Sequence, residues 1–461
     1  MVKEQPTTSV KGRQKRQRED EEESNVKPQP VLMKTRKVRL YPTSQQREKL
    51  QHWMGSVRWT YNKCVAQVRE HGLKGQTLKT LRALCVTETA LEAQGADWAK
   101  DVPFDVRDEG VRDLLKAVKS NLAKKKKTET GGGNTFRFDL HFRTKHDGQD
   151  TVTVHKKHWK HKHGSFASVF GVNAIRSSEP LPNELAADSR LVRDKLGRFY
   201  LCMPIPLTFK ATHRSESQTP CGSFVRVAAL DPGVRTFQTI FSVFDSNGNS
   251  TVTEWGRADM SSIYRLCLAA DDLRCRMAQT THRHRYRMRK AFLRLHDRIR
   301  RRVADLHWKL ANWLCENHDL ILIPSFETQS MIRRGHRRLR SKTVRQMCTW
   351  SHFTFRQRLV SKAREFPGCR VVVTSEAYSS KTCGQCGHLH SKLGGSKVFQ
   401  CPSCGFEVDR DANGARNILL RACTRKGVEL QQRSSGRKRA RTHNKSDKRS
   451  CSPLVALGPT P

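Results

Sequence analysis

The chain has 461 residues, enough for two or three domains with cores of their own. Its 87 Lys and Arg face only 43 Asp and Glu, and a net charge of +44 repels itself unless a long polyanion, most naturally nucleic acid, neutralises it. No apolar run approaches the about 18 residues of a membrane span, and the N-terminal MVKEQPTTSVKGRQKRQRED lacks the apolar stretch of a secretory signal, so neither a membrane nor an exported protein is expected.

Residues 1–31 mix a basic run, EDEEES and prolines, with little to bury, and residues 431–461 are similarly uncored; both are expected to be disordered tails. Their clusters KGRQKRQR and GRKRAR are of the kind that directs nuclear import, which makes the nucleus the expected location; a merely solubilising tail is the plainer alternative. Residues 31–42 alternate like a strand, and 44–122 carry helical patterning with breaks expected at Gly55 and over 72–75. KKKK and GGG then read as a linker. Period-two alternation predicts strands over 136–142, 151–155 and 165–170, and 190–206 reads as a hairpin turning at 195–197. Together these describe a small β-barrel over 32–50 and 131–215, interrupted by a helical insert over 51–130. In the insert, Trp59, Tyr61, Asn62 and Lys63 of GSVRWTYNK are candidates for nucleic-acid contact, with buried aromatics as the plainer reading.

A second domain is expected over 216–430, and its clearest helix covers 289–315. Phe292, Leu295, Ile299, Val303, Leu306, Leu310 and Trp313 recur at steps of three and four, which makes one buried stripe. Arg294, Arg298, Arg301 and Arg302 crowd the other faces. The neighbouring HRHRYRMRK and RRGHRRLRSK bring few acids to pair them, so these arginines are candidates for tracking phosphates.

Fifteen cysteines, mostly scattered singly, are no disulfide framework and suit a reducing compartment. Four of them, Cys383, Cys386, Cys401 and Cys404, form C-x2-C-x14-C-x2-C. Two tight CxxC knuckles complete a tetrahedron of thiolates, and a site with four Cys ligands is closed, so one structural Zn2+ is expected in a ribbon over about 379–408. Gly384, Gly387 and Gly405 suit the knuckle turns. Asp231 ends the apolar strand VRVAALDPG, and Asp411 opens the helix of DRDANGARNILL. Alone, the first reads as a turn residue and the second as a helix cap. Together they fit a nuclease site in which carboxylates from different elements hold catalytic Mg2+, two ions in the usual arrangement.

At these motifs the sequence resembles the transposon-encoded TnpB nucleases and, more closely, their eukaryotic relatives, the Fanzor proteins. KTRKVRLYPTSQQREKLQHWMGSVRWTYNK is similar to the family's N-terminal strand and helix, ALDPGVRTF to the first RuvC motif, and the ribbon running into DRDANGARNIL to the third. The resemblance implies an α/β multidomain fold: an RNase H-like RuvC domain with an inserted four-Cys zinc ribbon, joined to a wedge-like β-barrel with a helical recognition insert. It also implies an RNA-guided DNA endonuclease with a guide RNA of the omega type, acting on double-stranded DNA beside a short adjacent motif. The TnpB second motif has a Glu directly after its apolar strand; here LILIPSFE puts Pro324 in that place. Glu327, three positions on, is expected on the opposite face of an extended strand. Glu376 follows another apolar strand, CRVVVTSE, and Fanzor proteins are similar in using a glutamate from this later strand. Glu376 is therefore the expected third ligand. The competing readings are a non-cleaving RNA/DNA-binding descendant and an unguided RNase H-like or resolvase-like nuclease.

Overall fold

The structure, a computed structural model, describes residues 31–130, 140–145, 150–159, 166–170, 175–210, 225–244, 249–333 and 339–424. The expected tails and the GGG segment lie outside these residues.

Strand β1 (Met33–Tyr41) turns its Val38 and Leu40 inward and pairs antiparallel along its length with β5 (Phe199–Pro206). Strands β2 (Asp150–Val154), β3 (Arg176–Ser177) and β4 (Ser189–Arg193) complete a five-stranded antiparallel sheet in the order β2-β4-β5-β1-β3, which is what the described residues show of the expected barrel. The hairpin turn falls between β4 and β5, where Asp194 accepts from the backbone N–H groups of Leu196 and Arg198.

Helix α1 (Ser44–His71) begins at a capping box, with Thr43 and Gln46 each satisfying the other's backbone N–H. It runs straight through Gly55, contrary to the expected break, because its buried stripe, including Trp53, Met54, Val57, Tyr61, Val65 and Val68, continues in phase on both sides. The break at Gly72 is real: the residue sits at φ 74° just past the helix. Short helices α2 (Leu78–Cys85) and α3 (Glu88–Ala93) lead to α4 (Phe104–Thr130). The KKKK run lies inside α4, so those lysines are helical rather than a linker. Two further expectations change. Leu140–Phe142 is not strand: Leu140 is buried under the helices, and Asn62 grips the following Arg143. Residues Ala167–Phe170 form a short helix, α5, instead of a strand. Phe166, Val169 and Phe170 fit an i, i+3, i+4 stripe as well as they fit a strand, and all three are buried.

The second domain is a five-stranded sheet in the order β10-β9-β6-β7-β8. β6 (Val227–Pro232), β7 (Gln238–Val243) and β8 (Ser250–Trp255) form an antiparallel meander. β9 (Leu320–Pro324) lies parallel to β6, and β10 (Arg370–Thr374) parallel to β9. This is the RNase H-like RuvC layout the resemblance implies. Helices α6 (Asp259–Ala278) and α7 (His282–Asn317) follow β8, and α8 (Thr328–Ile332), α9 (Ser341–Trp350) and α10 (His352–Ala363) stand between β9 and β10. The helix expected over 289–315 is thus longer, and Ile299, Val303, Leu306 and Leu310 form its buried stripe.

Side-chain alternation divides this sheet. Ala228 and Leu230 face a core shared with α6, α7 and α10, whereas Ala229 and Leu322 face Ile418 of α11 (Arg410–Thr424). Asp231 has the parity of Ala229 and so belongs to the α11 face. The ribbon's two short strands, β11 (Val398–Gln400) and β12 (Glu407–Asp409), run directly into α11. The two domains touch through Arg198, which bonds Asp194 in its own turn and Asp297 of α7 at 2.9 Å.

Candidate active site and metal centre

Asp231 stands at the end of β6, in register with Thr239 of β7 and through it with Glu254 of β8. It is surrounded by protein yet keeps a partly open surface. Burial first, then the charges of Asp411 and Glu376, push its carboxyl up to about 8, against a smaller opposing pull from Arg410. Asp411 lies in the first turn of α11 and is also raised, by burial and then by Asp409. Glu376, two residues past β10, is raised by burial and then by Glu327. Helix and loop therefore bring Asp411 and Glu376 each within charge reach of Asp231, and each of the three is less acidic than in water.

The two plain readings of the aspartates fail in detail. Asp409, not Asp411, caps α11: its Oδ1 accepts from the backbone N–H groups of Asp411 and Ala412. That leaves the Asp411 carboxylate outside the cap, with the Arg410 guanidinium 3.9 Å from its Oδ1. Asp231 lies within β6, paired across to Thr239, rather than closing a turn. Close approach of α11 to β6 depends on Gly414, where a Cβ would stand 2.6 Å from Oδ2 of Asp231.

Glu327 does not lie on the far face. The strand ends at Pro324, and Phe326 adopts φ 37°, so the chain turns and brings Glu327 close enough to Glu376 to raise it. Glu327 therefore escapes the alternation of an extended strand, because no strand reaches that far.

The four cysteines converge, with their Sγ atoms all within 4.8 Å of one another. The cross pairs Cys383–Cys404 and Cys386–Cys401 stand at 3.7 and 3.6 Å. Among the described residues no other group of three or more His, Cys, Asp or Glu ligands is gathered in this way. Gly387 and Gly405, at φ 78° and 73°, close the two knuckles by donating to the carbonyls of Cys383 and Cys401. Burial works against ionisation of Cys401, but the backbone N–H groups of Cys404 and Ser403 outweigh it and hold its thiol down at about 6. Such a donor set suits one thiophilic ion. Gly384 has a different job from the expected turn: its N–H donates to Oδ1 of Asn413, and a Cβ there would meet that oxygen at 2.8 Å.

Asn413 and Asn417 were not singled out from the sequence, yet they tie ribbon to helix. Asn413 donates to the carbonyl of Thr382, and Asn417 to those of Ser379 and Thr382. Their spacing of four on one helix face is the signal that would have found them.

The nucleic-acid candidates divide. Tyr61 is buried beneath the Arg143 guanidinium, 3.8 Å from its ring, and Asn62 holds both the N–H and C=O of Arg143, so both are structural. Trp59 meets a partner the sequence did not suggest, the half-exposed Trp98, edge-on at 5.9 Å, and Lys63 lies over Trp59. On α7, Arg294 and Arg298 are exposed, Arg301 pairs with Asp297, and Arg302 donates to Ser262.

Two family matches cover parts of the chain: residues 352–418 match the Cas12f1-like TNB domain, and residues 33–71 a helix-turn-helix domain. In the second stretch the structure has one strand and one unbroken helix. Over longer spans, the chain is 30% identical to a protein of Paramecium bursaria Chlorella virus 1 named as a transposase, covering 85% of this chain and 87% of that one. It is 25% identical to a TnpB-like protein of Acanthamoeba polyphaga mimivirus, over 84% of this chain and 73% of the relative. A Streptomyces pristinaespiralis protein whose name assigns it RNA-guided DNA endonuclease activity is 25% identical over 83% and 88%.

Proposed function

The chain belongs to the family of TnpB-like transposon proteins, and on that footing we propose that it is an RNA-guided DNA endonuclease that cuts with Asp231, Glu376 and Asp411. One observation carries the catalytic part: at a partly open strand end, the carboxyl of Asp231 is raised by burial and by the charges of Asp411, from a helix, and Glu376, from a loop. Such a cluster costs stability until cations neutralise it. Its oxygen donors fit hard divalent ions, and Mg2+, as a pair of ions, is the reading we adopt. Bound there, the ions would supply the positive charge that activates water and stabilises the leaving oxygen. Asp231 is fixed by the β6–β7 register, and Asp411 is aimed by the Asp409 cap and the Gly414 contact. Glu376 is held by the turn that follows it, where its carbonyl accepts from the N–H of Ser379.

The four cysteines hold one Zn2+ in a structural role, and the asparagine ties carry its rigidity to Asp411. A guide RNA of the omega type binds through its phosphates, and double-stranded DNA beside a short motif is the target. A third carboxylate supplied after the later strand, as in the Fanzor proteins, supports reading the chain as one of that branch. The basic clusters in its tails, outside the described residues, suit a nucleus.

The test uses protein purified with its own RNA. We expect one defined RNA species and cutting, in Mg2+, of plasmids complementary to it and not of others, with loss of cutting in chelator. Equal cutting of every plasmid would favour an unguided nuclease. Defined RNA without cutting would favour a non-cleaving descendant.

A further inference from the structure

The turn after Glu376 holds an exposed aromatic residue in a backbone conformation that aromatics rarely adopt. Ser379 donates to the carbonyl of Glu376 through both its N–H and its hydroxyl, so residues 376–379 form a turn with Tyr378 in third place. Tyr378 has φ 63°, a conformation that turns give to glycine or asparagine and that bulky residues rarely adopt. The backbone around it is fully committed. The carbonyl of Ala377 accepts from Arg421, that of Tyr378 from the N–H groups of Lys381 and Thr382, and that of Ser379 from Asn417. Only the ring is left over. Tyr378 is 62% exposed, and among the described residues its side chain has no ring, cation or hydrogen-bond partner. Packing therefore does not explain why an aromatic stands there, and a strained, exposed residue beside a reacting centre is grounds for a role with ligand.

We infer that Tyr378 is a stacking platform for an unpaired nucleobase of the DNA strand led to the carboxylates. Glu376 lies two residues away on the same pinned turn, so what reaches the ring is the polymer whose phosphate reaches Glu376. A flat exposed ring stacks on any base whose face is free, and duplex bases hide their faces, so the ring selects single strand over duplex. The proposed nuclease reading supplies only the identity of the polymer; the geometry of the ring stands without it.

The test separates stacking from turn structure. Protein carrying its own RNA, in Mg2+-free buffer at fixed salt, is titrated into fluorescein-labelled oligothymidylate, alone or annealed to oligoadenylate, and followed by anisotropy. Tyr378→Ala and Tyr378→Gly should each weaken single-strand binding by roughly 5- to 100-fold and leave duplex binding unchanged; Tyr378→Phe should match the parent. Tyr378→Gly relieves the backbone strain, so its melting temperature should equal or exceed the parent's while its single-strand binding is lost. Retained single-strand binding in the Gly variant would overturn the proposal, as would equal losses on single strand and duplex. Because the readout is binding, these results stand even if the parent protein proves unable to cut.

Discussion

At the residue scale, Asp231 and Gly414 form one unit, in which the missing side chain lets α11 reach the carboxylate. Gly414→Ala places a methyl 2.6 Å from Oδ2 of Asp231, so the helix must move. We expect cleavage to fall at least about 100-fold, as misplacing catalytic groups by an ångström does, with zinc content unchanged; parental cleavage would show that the contact does not set the site. The electrostatics give a second expectation. A carboxyl raised to about 8 stabilises the fold most below its ordinary value of 3.8, and that stability is lost as pH rises through about 8. Cation-free protein should therefore weaken from pH 5 to about pH 9, and Asp231→Asn should flatten that decline and stabilise the protein by about 1–3 kcal/mol at the alkaline end. Denaturant titrations of both proteins in chelator across pH check it; parallel curves would contradict it.

At the scale of elements, the ribbon and α11 behave as one body through Asn413, Asn417 and Gly384. Cys401→Ser should lose the metal, one equivalent per chain by metal analysis, and cutting with it, because the knuckles no longer position the strand that runs into Asp411. Asn417→Ala leaves the ligands intact, so it should keep zinc but lower cleavage through a looser turn at Ser379. An inert Asn417→Ala would show that the tie is dispensable. The gathering of the cysteines, and the placement of Asp231 at a strand end and Asp411 in a first helical turn, were legible because ligand spacing and strand ends are local features of sequence. The helix of α7 was legible because its stripe keeps a period near 3.6 over many turns. What was not legible depends on contacts across the chain. Leu140–Phe142 hangs on side chains of α1 instead of a ladder, and Glu327 is turned by the left-handed Phe326, which period-two counting does not foresee. Gly55 was misread because a helix with a strong buried face tolerates one glycine.

At the scale of the whole molecule, charge and core pull in different directions. Exposed cations demand a polyanion, so RNA affinity should fall with salt at a log–log slope of roughly −0.7 to −0.9 per neutralised phosphate. The nuclease core, by contrast, buries three neutral histidines. Burial holds His307 down to about 3, and His318 and His352 to about 4. His307 donates from Nε2 to the carbonyl of Trp350, while its Nδ1 accepts from Arg358, which fixes the neutral ring. These groups keep their stabilising effect above the ordinary value of 6.5 and lose it as pH falls towards 4, so the second domain should unfold in that window. Tryptophan fluorescence unchanged down to pH 4 would contradict this. The central claim is that Asp231, Glu376 and Asp411 make one cutting centre, and the direct measurement is plasmid cleavage by RNA-loaded Asp231→Ala, Asp411→Ala, Glu376→Ala and Glu327→Ala proteins. The first three should be inactive with their RNA still bound, and Glu327→Ala should retain substantial activity. An active Glu376→Ala beside an inactive Glu327→Ala would move the third ligand to Glu327, and parental cutting by all four would contradict the nuclease centre itself.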